Sequence, residues 1–180
     1  RKNMPSPLTR HWSFDSSRLF LNHGSFGACP DFVIEEQRKW QNLMEKEPVR
    51  FFEELMPDLL LKSREALGTF LSCSPNDLAF VSNATSGVNT ILRSLHFEQG
   101  DEILVPNHAY QACRNSIDFV AQRSGATVVV VPIPFPIDSP QTVIDVMKSA
   151  RSERTKLVMI DTVTSPTGLR MPFEELTSFF

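Results

Sequence analysis

The sequence predicts an α/β protein of three layers, with helices on both faces of a mostly parallel β-sheet. Short runs rich in β-branched and apolar residues alternate with segments of about 10–15 residues whose apolar side chains recur at helical spacing. Strands separated by such helices pair in parallel, because the helix supplies the long crossover that a parallel pair needs. The chain has 180 residues, 41% of them hydrophobic, which is enough to bury a sizeable core.

The first 30 residues are predicted to be irregular. Residues 1–18 are polar and interrupted by prolines, which predicts an extended arm. Residues 20–30 place two glycines among polar residues, which predicts a loop whose backbone can approach another group closely. Within this loop His23 is either a site residue or a residue that hydrogen-bonds inside a turn.

Two helical segments are predicted to follow the loop. Asp31 can begin the first helix, and Pro48 ends it. A second helical stretch extends to Leu71, with Pro57 either kinking it or marking a break. Their aromatic and leucine side chains indicate core or interface packing and not a cofactor site. The predicted division is an arm and helix in residues 1–48, followed by the α/β domain.

Strands and helices alternate in the rest of the chain. The predicted strands are 78–81, 102–106, 127–131 and 156–160. The predicted helices are 84–96, a helix that Gly125 ends, 141–150, and a last helix that begins at Glu174. Each strand therefore leads into a helix, as repeated strand–helix–strand units require.

Composition excludes several classes of partner. The net charge is −3 and there is no basic cluster, so neither nucleic acid nor an anionic membrane is indicated, and no run is long enough to cross a bilayer. Cys29, Cys73 and Cys113 are odd in number and far apart, which argues against a disulfide framework and predicts a reducing, cytoplasmic location. Metal-ligand spacing is absent, so no metal is predicted.

The stretch from Phe80 to Val88 turns from a predicted strand into a helix through small and hydroxyl residues. Such a turn leaves backbone N–H groups free at the helix N-terminus, where they and the helix dipole suit a phosphate. Thr85 and Ser86 can add hydroxyl donors. The same residue types also cap helices for structural reasons alone. Neither a Walker loop nor a dinucleotide fingerprint is present, so both interpretations stay open.

Three polar loops are predicted at one edge of the sheet. The carboxyl ends of parallel strands meet at the same edge, and ligands of α/β proteins bind there. The loops are 82–87, 107–110 and 161–168. The last contains Ser-Pro-Thr-Gly at 165–168, which an ordinary β-turn also favours. Together the loops predict a binding site for a phosphorylated small molecule.

In their order and spacing, these loops resemble those of the class V aminotransferases, fold type I enzymes that use pyridoxal 5′-phosphate (PLP). The stretch Leu-Asn-His-Gly-Ser-Phe-Gly at 21–27 is most similar to the isopenicillin N epimerase-like branch. The resemblance runs from Phe20 to the last residue. It implies that residues 49–180 are the first part of a PLP-dependent transferase large domain, whose remainder and small domain lie outside these 180 residues.

The resemblance also implies a set of site residues. The implied cofactor-binding residues are Ala84, Thr85, Ser86, His108, Tyr110, Thr164 and Ser165, and the implied substrate-binding residues are Asn22 and His23. The first three match the loop that holds the cofactor phosphate. His108 matches a position whose ring stacks on the pyridine, and Tyr110 is its rival. Ser165 replaces an asparagine that approaches the phenolic oxygen in relatives, and Thr164 is a neighbouring hydroxyl that could share this contact.

A member of this family acts on an amino acid or an amino-acid-derived substrate as an epimerase, a lyase or an aminotransferase, and it forms a homodimer. The family places its Schiff-base lysine and its pyridinium aspartate further along the chain, so Asp161 is interpreted as a loop residue. We therefore expect the 180 residues to be inactive alone. The alternative is a non-catalytic α/β module that binds a phosphorylated small molecule or a protein partner.

Overall fold

The structure, a computed structural model, describes residues 6–180 and, of Ser25, the backbone alone. It divides into two compact units, one ending at Phe80 and the other spanning Val81–Phe180. The boundary predicted after residue 48 lies inside the first unit, within the short helix at Pro48–Arg50.

The described part of the first unit is helical. Its elements are a 3₁₀ turn (Pro7–His11), α1 (His23–Phe26), α2 (Asp31–Lys46), α3 (Pro48–Arg50), a π-helical turn (Phe51–Leu55), α4 (Met56–Leu71) and a 3₁₀ turn (Pro75–Asp77). Helix α2 begins and ends where the sequence predicted. The π-helical turn lies just before Pro57, which has no N–H and whose ring excludes the regular i−4 hydrogen bond. The predicted break at Pro57 is thus a local change of helix type.

The arm and the loop of residues 20–30 differ from their predictions. The arm is not extended throughout, because it contains the 3₁₀ turn and is tied to the start of α2. The Asp31 carboxylate accepts hydrogen bonds from the Ser13 backbone N–H at 3.2 Å and the Ser13 hydroxyl at 2.8 Å. The Trp12 indole N–H donates to the Ala28 carbonyl at 2.9 Å. Contacts between residues 16–18 positions apart, which local spacing does not reveal, decide this arrangement.

The second unit carries the sheet. Its elements are α5 (Ala84–Ser94), β1 (Glu102–Pro106), α6 (Gln111–Ser124), β2 (Thr127–Val131), α7 (Pro140–Ser149), β3 (Thr155–Val158) and α8 (Phe173–Phe179). The strand order is β2-β1-β3, and both pairings are parallel. Each strand except the last leads through a helix to the next, which confirms the predicted strand–helix alternation.

The central strand β1 separates two hydrophobic layers. Side chains of a strand alternate between its faces, so Leu104 points to one side while Ile103 and Val105 point to the other. Leu104 packs in a cluster with residues of α7 and α8, including Met147 and Leu176. Ile103 and Val105 pack against residues of α5 and α6. Helices therefore cover both faces of a parallel sheet, and the predicted three-layer α/β/α fold is confirmed.

The strand predicted at residues 78–81 is not formed. The backbone at Leu78 is extended, with φ −110° and ψ 133°, but residues 78–81 pair with no strand in the described part of the chain. The side chains of Phe80 and Val81 are exposed. An apolar run becomes a strand when a neighbour completes its hydrogen-bond ladder. Residues 78–81 have the composition of a strand, but they do not form one because no neighbouring strand pairs with them in the described part of the chain.

Candidate functional site

Two loops that follow β1 and β2 are joined at the carboxyl edge of the sheet. The side-chain oxygen of Asn107 accepts a hydrogen bond from the Ile133 N–H at 2.9 Å. The Asn107 backbone N–H donates to the Val131 carbonyl at 3.0 Å. The segment after β3 joins them, because the Tyr110 N–H donates to the Asp161 carboxylate at 3.3 Å. The predicted convergence of strand-end loops is therefore present, and Asn107 and Asp161 hold it together.

The N-terminus of α5 combines a capping residue with open donors. The Asn83 side chain accepts from the Ser86 N–H at 2.8 Å, and the hydroxyls of Ser82 and Ser86 lie 3.1 Å apart. The N–H groups of Ala84 and Thr85 have no acceptor among the described residues. The first turn contains no acidic residue. The two interpretations of this turn are therefore compatible, since one amide is capped and two remain available to an anion.

A buried thiol connects α5 to this edge. Cys113, in the first turn of α6, is 6% exposed, and its thiol interacts with the Thr85 hydroxyl. Burial raises the pKa of the Cys113 thiol, the Asp161 carboxylate raises it further, and the hydrogen bond with Thr85 lowers it by less. The thiol is thus held in its neutral form. Cys113 serves as packing beneath the loops and is not a thiolate nucleophile.

Alkylation of the native chain at neutral pH is expected to spare Cys113. Cys29 and Cys73 are exposed, whereas Cys113 is buried and has a raised pKa, so we expect iodoacetamide to modify Cys113 at least about tenfold more slowly. Its rate should continue to rise at pH values where an ordinary thiol is already ionised. Peptide mapping by mass spectrometry measures all three rates, and the denatured chain is the control. Equal rates at the three positions in the native chain would contradict the placement of Cys113.

His108 has its ring buried among the loops at the carboxyl edge. Its side chain is 7% exposed, and both ring nitrogens have partners. Nε2 lies 3.0 Å from the Ile133 carbonyl oxygen, and Nδ1 lies 2.8 Å from the Thr167 hydroxyl. Tyr110, by contrast, is 47% exposed at the residue before α6, and its hydroxyl has no hydrogen-bond partner among the described residues.

The two candidate hydroxyls in the turn at residues 164–168 also differ in burial. The Gly168 N–H donates to the Thr164 carbonyl at 2.9 Å, and Gly168 adopts the left-handed conformation that closes the turn, with φ +64°. Thr164 is 2% exposed, and its hydroxyl contacts Thr167 and Leu169. Ser165 is exposed, and its hydroxyl has no partner among the described residues.

Asn22 and His23 lie in the other unit, within an aromatic cluster of the arm. Asn22 precedes the short helix α1 and does not cap it with its side chain. The His23 ring packs edge-on against Phe20 at 4.8 Å between centroids, and against Phe14 at 5.7 Å. The Trp12 ring lies 5.5 Å away. The sequence offered two alternatives for His23, a site residue or a residue that hydrogen-bonds inside a turn. Packing among aromatic rings was not predicted.

Neither lysine of the second unit lies at the carboxyl edge. Lys156 is near the start of β3 and approaches the Asp101 carboxylate at 4.0 Å, at the opposite end of the sheet. Lys148 is in α7, with its ammonium 4.5 Å from the centre of the Phe179 ring. Within residues 6–180 no group of three or more histidine, cysteine or acidic side chains could hold a metal ion. None of the helices described in that range combines the length and the apolar composition of a membrane span.

Sequence reasoning missed Asn107 and Thr167, which hold the strand-end loops in place. Asn107 stands directly after β1, a position from which its role could have been suspected. Thr167 was noted only as a member of the Ser-Pro-Thr-Gly turn, without a role of its own, and nothing in its local sequence distinguishes it from the neighbouring hydroxyl residues. Its contact with His108 spans 59 positions of sequence.

Comparison with known proteins gives a consistent result. The family model for aminotransferase class-V matches residues 30–180. A putative L-cysteine desulfhydrase from Oryza sativa subsp. japonica is 32% identical over 173 residues, which cover 88% of this chain and 36% of the relative. An isopenicillin N epimerase from Amycolatopsis lactamdurans is 33% identical over 167 residues, covering 91% of this chain and 42% of the relative.

A solved structure shows the same fold. It is a mutant of C-DES with glycine covalently linked to the PLP cofactor, and it superimposes with a TM-score of 0.76 at 20% identity. The match covers 91% of this chain and 43% of that one. The chain thus spans about two fifths of the length of the relatives that it matches.

Proposed function

The chain belongs to the class V aminotransferase family, and from this premise we propose that it is part of a PLP-dependent enzyme acting on an amino acid or an amino-acid-derived substrate. The observation that carries the proposal is the meeting of strand-end loops with the open N-terminus of α5 in one unit. Relatives named as a cysteine desulfhydrase and as an isopenicillin N epimerase support the substrate class.

The N-terminus of α5 suits the phosphate group of PLP. The N–H groups of Ala84 and Thr85 supply two donors, and the hydroxyls of Thr85 and Ser86 supply two more. The Ser86 N–H is already bound by Asn83, so Ser86 would contribute through its hydroxyl. The positive end of the helix dipole favours the anion, and the first turn holds no carboxylate that would repel it.

Tyr110 suits the face of the pyridine ring better than His108. A ring that stacks on a ligand needs an exposed face, and Tyr110 is 47% exposed where His108 is 7% exposed. The Tyr110 backbone is held to Asp161, so the side chain starts from a fixed position at the carboxyl edge. We assign the stacking role to Tyr110.

Ser165 suits the phenolic oxygen better than Thr164. The Thr164 hydroxyl is buried and engaged with its neighbours in the turn. The Ser165 hydroxyl is exposed and can donate to an oxygen of a ligand at this edge. Thr164 then supports the turn that presents Ser165.

Bound PLP would draw electrons from the α-carbon of an amino substrate, which makes the α-proton removable. The residues of this chain hold the reacting geometry in place. The turn before α5 would anchor the phosphate of the cofactor, Tyr110 would fix the plane of its ring, and Ser165 would donate to its phenolic oxygen. Epimerisation, elimination and amino transfer differ in later proton transfers, for which this chain supplies no assigned acid or base.

We propose that the lysine that binds PLP covalently lies beyond residue 180. Lys148 and Lys156 are away from the carboxyl edge, and the other described lysines, Lys39, Lys46 and Lys62, lie on α2 and α4. Borohydride reduction of the 180-residue chain with PLP should give scattered, substoichiometric labelling in a mass map. A longer form of the protein should be labelled once, outside these residues. Stoichiometric labelling of one lysine within the 180 residues would overturn the assignment.

The reaction class is tested with the full-length protein loaded with PLP. All three candidate reactions begin by removing the α-proton, so incubation with amino acids in deuterium oxide should place deuterium at the α-carbon of at least one of them. Nuclear magnetic resonance measures this exchange before the product is known. A protein that binds PLP and exchanges no α-proton would favour the non-catalytic alternative.

We further propose that the full-length protein is a homodimer in the cytoplasm. In the first unit, α2 and α4 expose large apolar side chains, among them Phe32, Trp40 and Phe70. Sedimentation at micromolar concentration is expected to give the mass of two chains, and Phe32→Glu is expected to shift the protein toward monomer. A wild-type monomer under these conditions would contradict the dimer. Three cysteines without disulfides support a reducing compartment.

A further inference from the structure

We infer that His108 is a positioning residue, and that its neutral Nε2–H form directs a one-way chain of hydrogen bonds through Thr167 and Thr164 that holds the cofactor-facing turn. The chain joins three loops at the carboxyl edge: the loop after β1, the segment after β2 at Ile133, and the turn at residues 164–168. The connection to PLP rests on the proposed function, while the direction of the chain does not.

The Ile133 carbonyl fixes one ring nitrogen. A carbonyl oxygen can accept and cannot donate, so Nε2, 3.0 Å away, must carry a hydrogen. The same carbonyl lies 3.4 Å from the Asn107 side-chain nitrogen, and the Asn107 oxygen accepts from the Ile133 N–H. The 2.9 Å bond from the Ile133 N–H to Asn107 therefore helps to keep the Ile133 carbonyl beside His108.

The Thr164 hydroxyl fixes the direction at the other end. It accepts from the Leu169 N–H at 2.9 Å, so its own hydrogen must go elsewhere. Two acceptors are in reach: the Thr167 hydroxyl at 2.8 Å and the Leu169 carbonyl at 3.4 Å. The first is a short hydrogen bond and the second is beyond the usual range. The Leu169 carbonyl also has a donor already, since it accepts from the Thr164 N–H at 2.9 Å.

The direction of the middle link follows. Because Thr164 donates to Thr167, the single hydrogen of the Thr167 hydroxyl is free to donate to His108 Nδ1, 2.8 Å away. In the arrangement that gives each of these short contacts one hydrogen, Nδ1 carries none and the ring is the Nε2–H tautomer. If Nδ1 also carried a hydrogen, the Thr167 hydroxyl would accept from it. Thr167 would then have to turn its own hydrogen away from both neighbours, or the Thr164 hydroxyl would have to donate to the Leu169 carbonyl over 3.4 Å.

The hydrogen bonds from Thr164 through Thr167 to His108 explain which hydroxyl is left for a ligand. The hydroxyl hydrogens of Thr164 and Thr167 are both used in this series of hydrogen bonds. The turn therefore presents Ser165 as its exposed hydroxyl. His108 acts on the cofactor through this turn and through the fixed loop that carries Tyr110. The histidine connects the loops through its two ring nitrogens. The tautomer of the ring can be measured directly.

The test begins with the 180-residue chain labelled with ¹⁵N at histidine. Long-range ¹H–¹⁵N spectra distinguish the tautomers, because Nε2 couples to both ring carbon-bound protons whereas Nδ1 couples strongly to one. His108→Gln assigns the signal among the four histidines. We expect Nε2 at the hydrogen-bearing position and Nδ1 at the hydrogen-free position. An Nδ1–H form, a doubly protonated ring or a rapidly exchanging mixture would overturn the inference.

Two substitutions at Thr167 test the link itself. Thr167→Val removes the hydroxyl at nearly constant shape, and we expect it to abolish the tautomer preference; Thr167→Ser keeps the hydroxyl and should restore the wild-type signal. If Thr167→Val does not fold, the serine variant and the wild-type spectrum still decide the direction of the chain. A valine variant that folds with an unchanged His108 signal would overturn the role of Thr167.

The third arm uses the full-length protein with PLP. Thr167→Val should shift the visible absorbance band of the cofactor and weaken its affinity by up to about tenfold, and Thr167→Ser should restore both. Ser165→Ala should alter the band and leave the His108 tautomer unchanged. Absence of PLP binding by the wild type would reject the proposed function alone. PLP binding with an unaltered band in Thr167→Val would reject the connection between the chain of hydrogen bonds and the cofactor.

Discussion

Replacing both Thr85 and Ser86 by alanine is expected to weaken PLP binding to the full-length protein by at least about 100-fold. A hydrogen bond to a charged group contributes about 1.5–3 kcal/mol, and 1.4 kcal/mol corresponds to a tenfold change in affinity. The double variant removes two such hydroxyl donors at the N-terminus of α5 and leaves the Ala84 and Thr85 backbone N–H groups in place. Some affinity should therefore remain. Equilibrium dialysis or fluorescence titration of the cofactor measures the change.

The matched control is Thr90→Ala with Ser94→Ala. It deletes the same two kinds of hydroxyl from the same helix, but those hydroxyls donate to the Ser86 and Ile91 carbonyls, away from the N-terminus. We expect the control to bind PLP with nearly wild-type affinity. Unchanged affinity in both double variants would contradict phosphate binding at this turn. An equal loss in both would indicate that the helix as a whole had been weakened.

Leu104→Ala is expected to destabilise the second unit by about 2–5 kcal/mol, the usual cost of emptying a leucine site in a packed core. Leu104 is fully buried on the central strand, where it packs with Val131, Met147 and Leu176. Loss of its side chain leaves a cavity between the sheet and the helices of one layer. Amide hydrogen exchange of the β1 segment, residues 102–106, measures the loss as a decrease in protection.

Leu95→Ala is the control for this substitution. It removes the same atoms from a leucine of the second unit that is partly exposed at the end of α5, so we expect a cost of less than about 1 kcal/mol. If both variants lose protection in β1 equally, β1 is not the central buried strand. If neither loses protection, the sheet order β2-β1-β3 is wrong.

The fold and the proposed reaction depend on different residues of the second unit. The helical crossovers make the strands parallel and the hydrophobic layers around β1 hold them in the sheet, so that the loops after them lie at one edge. The polar contacts of Asn107, Asp161 and His108 then fix the loops relative to one another. A substitution in the first group is expected to lower stability throughout the unit. One in the second group is expected to change cofactor affinity or absorbance with a smaller effect on stability.

The sequence by itself determined the fold class and the edge of the sheet that holds the candidate site. Alternation of strand-forming and helix-forming segments is a local property, so the bounds of β1 and β2 agree with the predicted strands. The turn before α5 was also recognisable, because small and hydroxyl residues at a helix start leave backbone donors whatever lies around them. The unpaired run at residues 78–81 shows the limit of this reasoning, since its composition predicts a strand and says nothing of a partner.

Only the tertiary structure shows which member of each candidate pair, His108 or Tyr110 and Thr164 or Ser165, is buried and which is exposed. In each pair the two residues are close in sequence and chemically able to do the same work, so residue type cannot separate them. Burial and hydrogen bonding do so, through contacts that are 25 positions apart for His108 and Ile133 and 59 positions apart for His108 and Thr167. A side chain whose polar atoms are all engaged inside the protein is not free to meet a ligand, and only the folded chain shows which side chains those are.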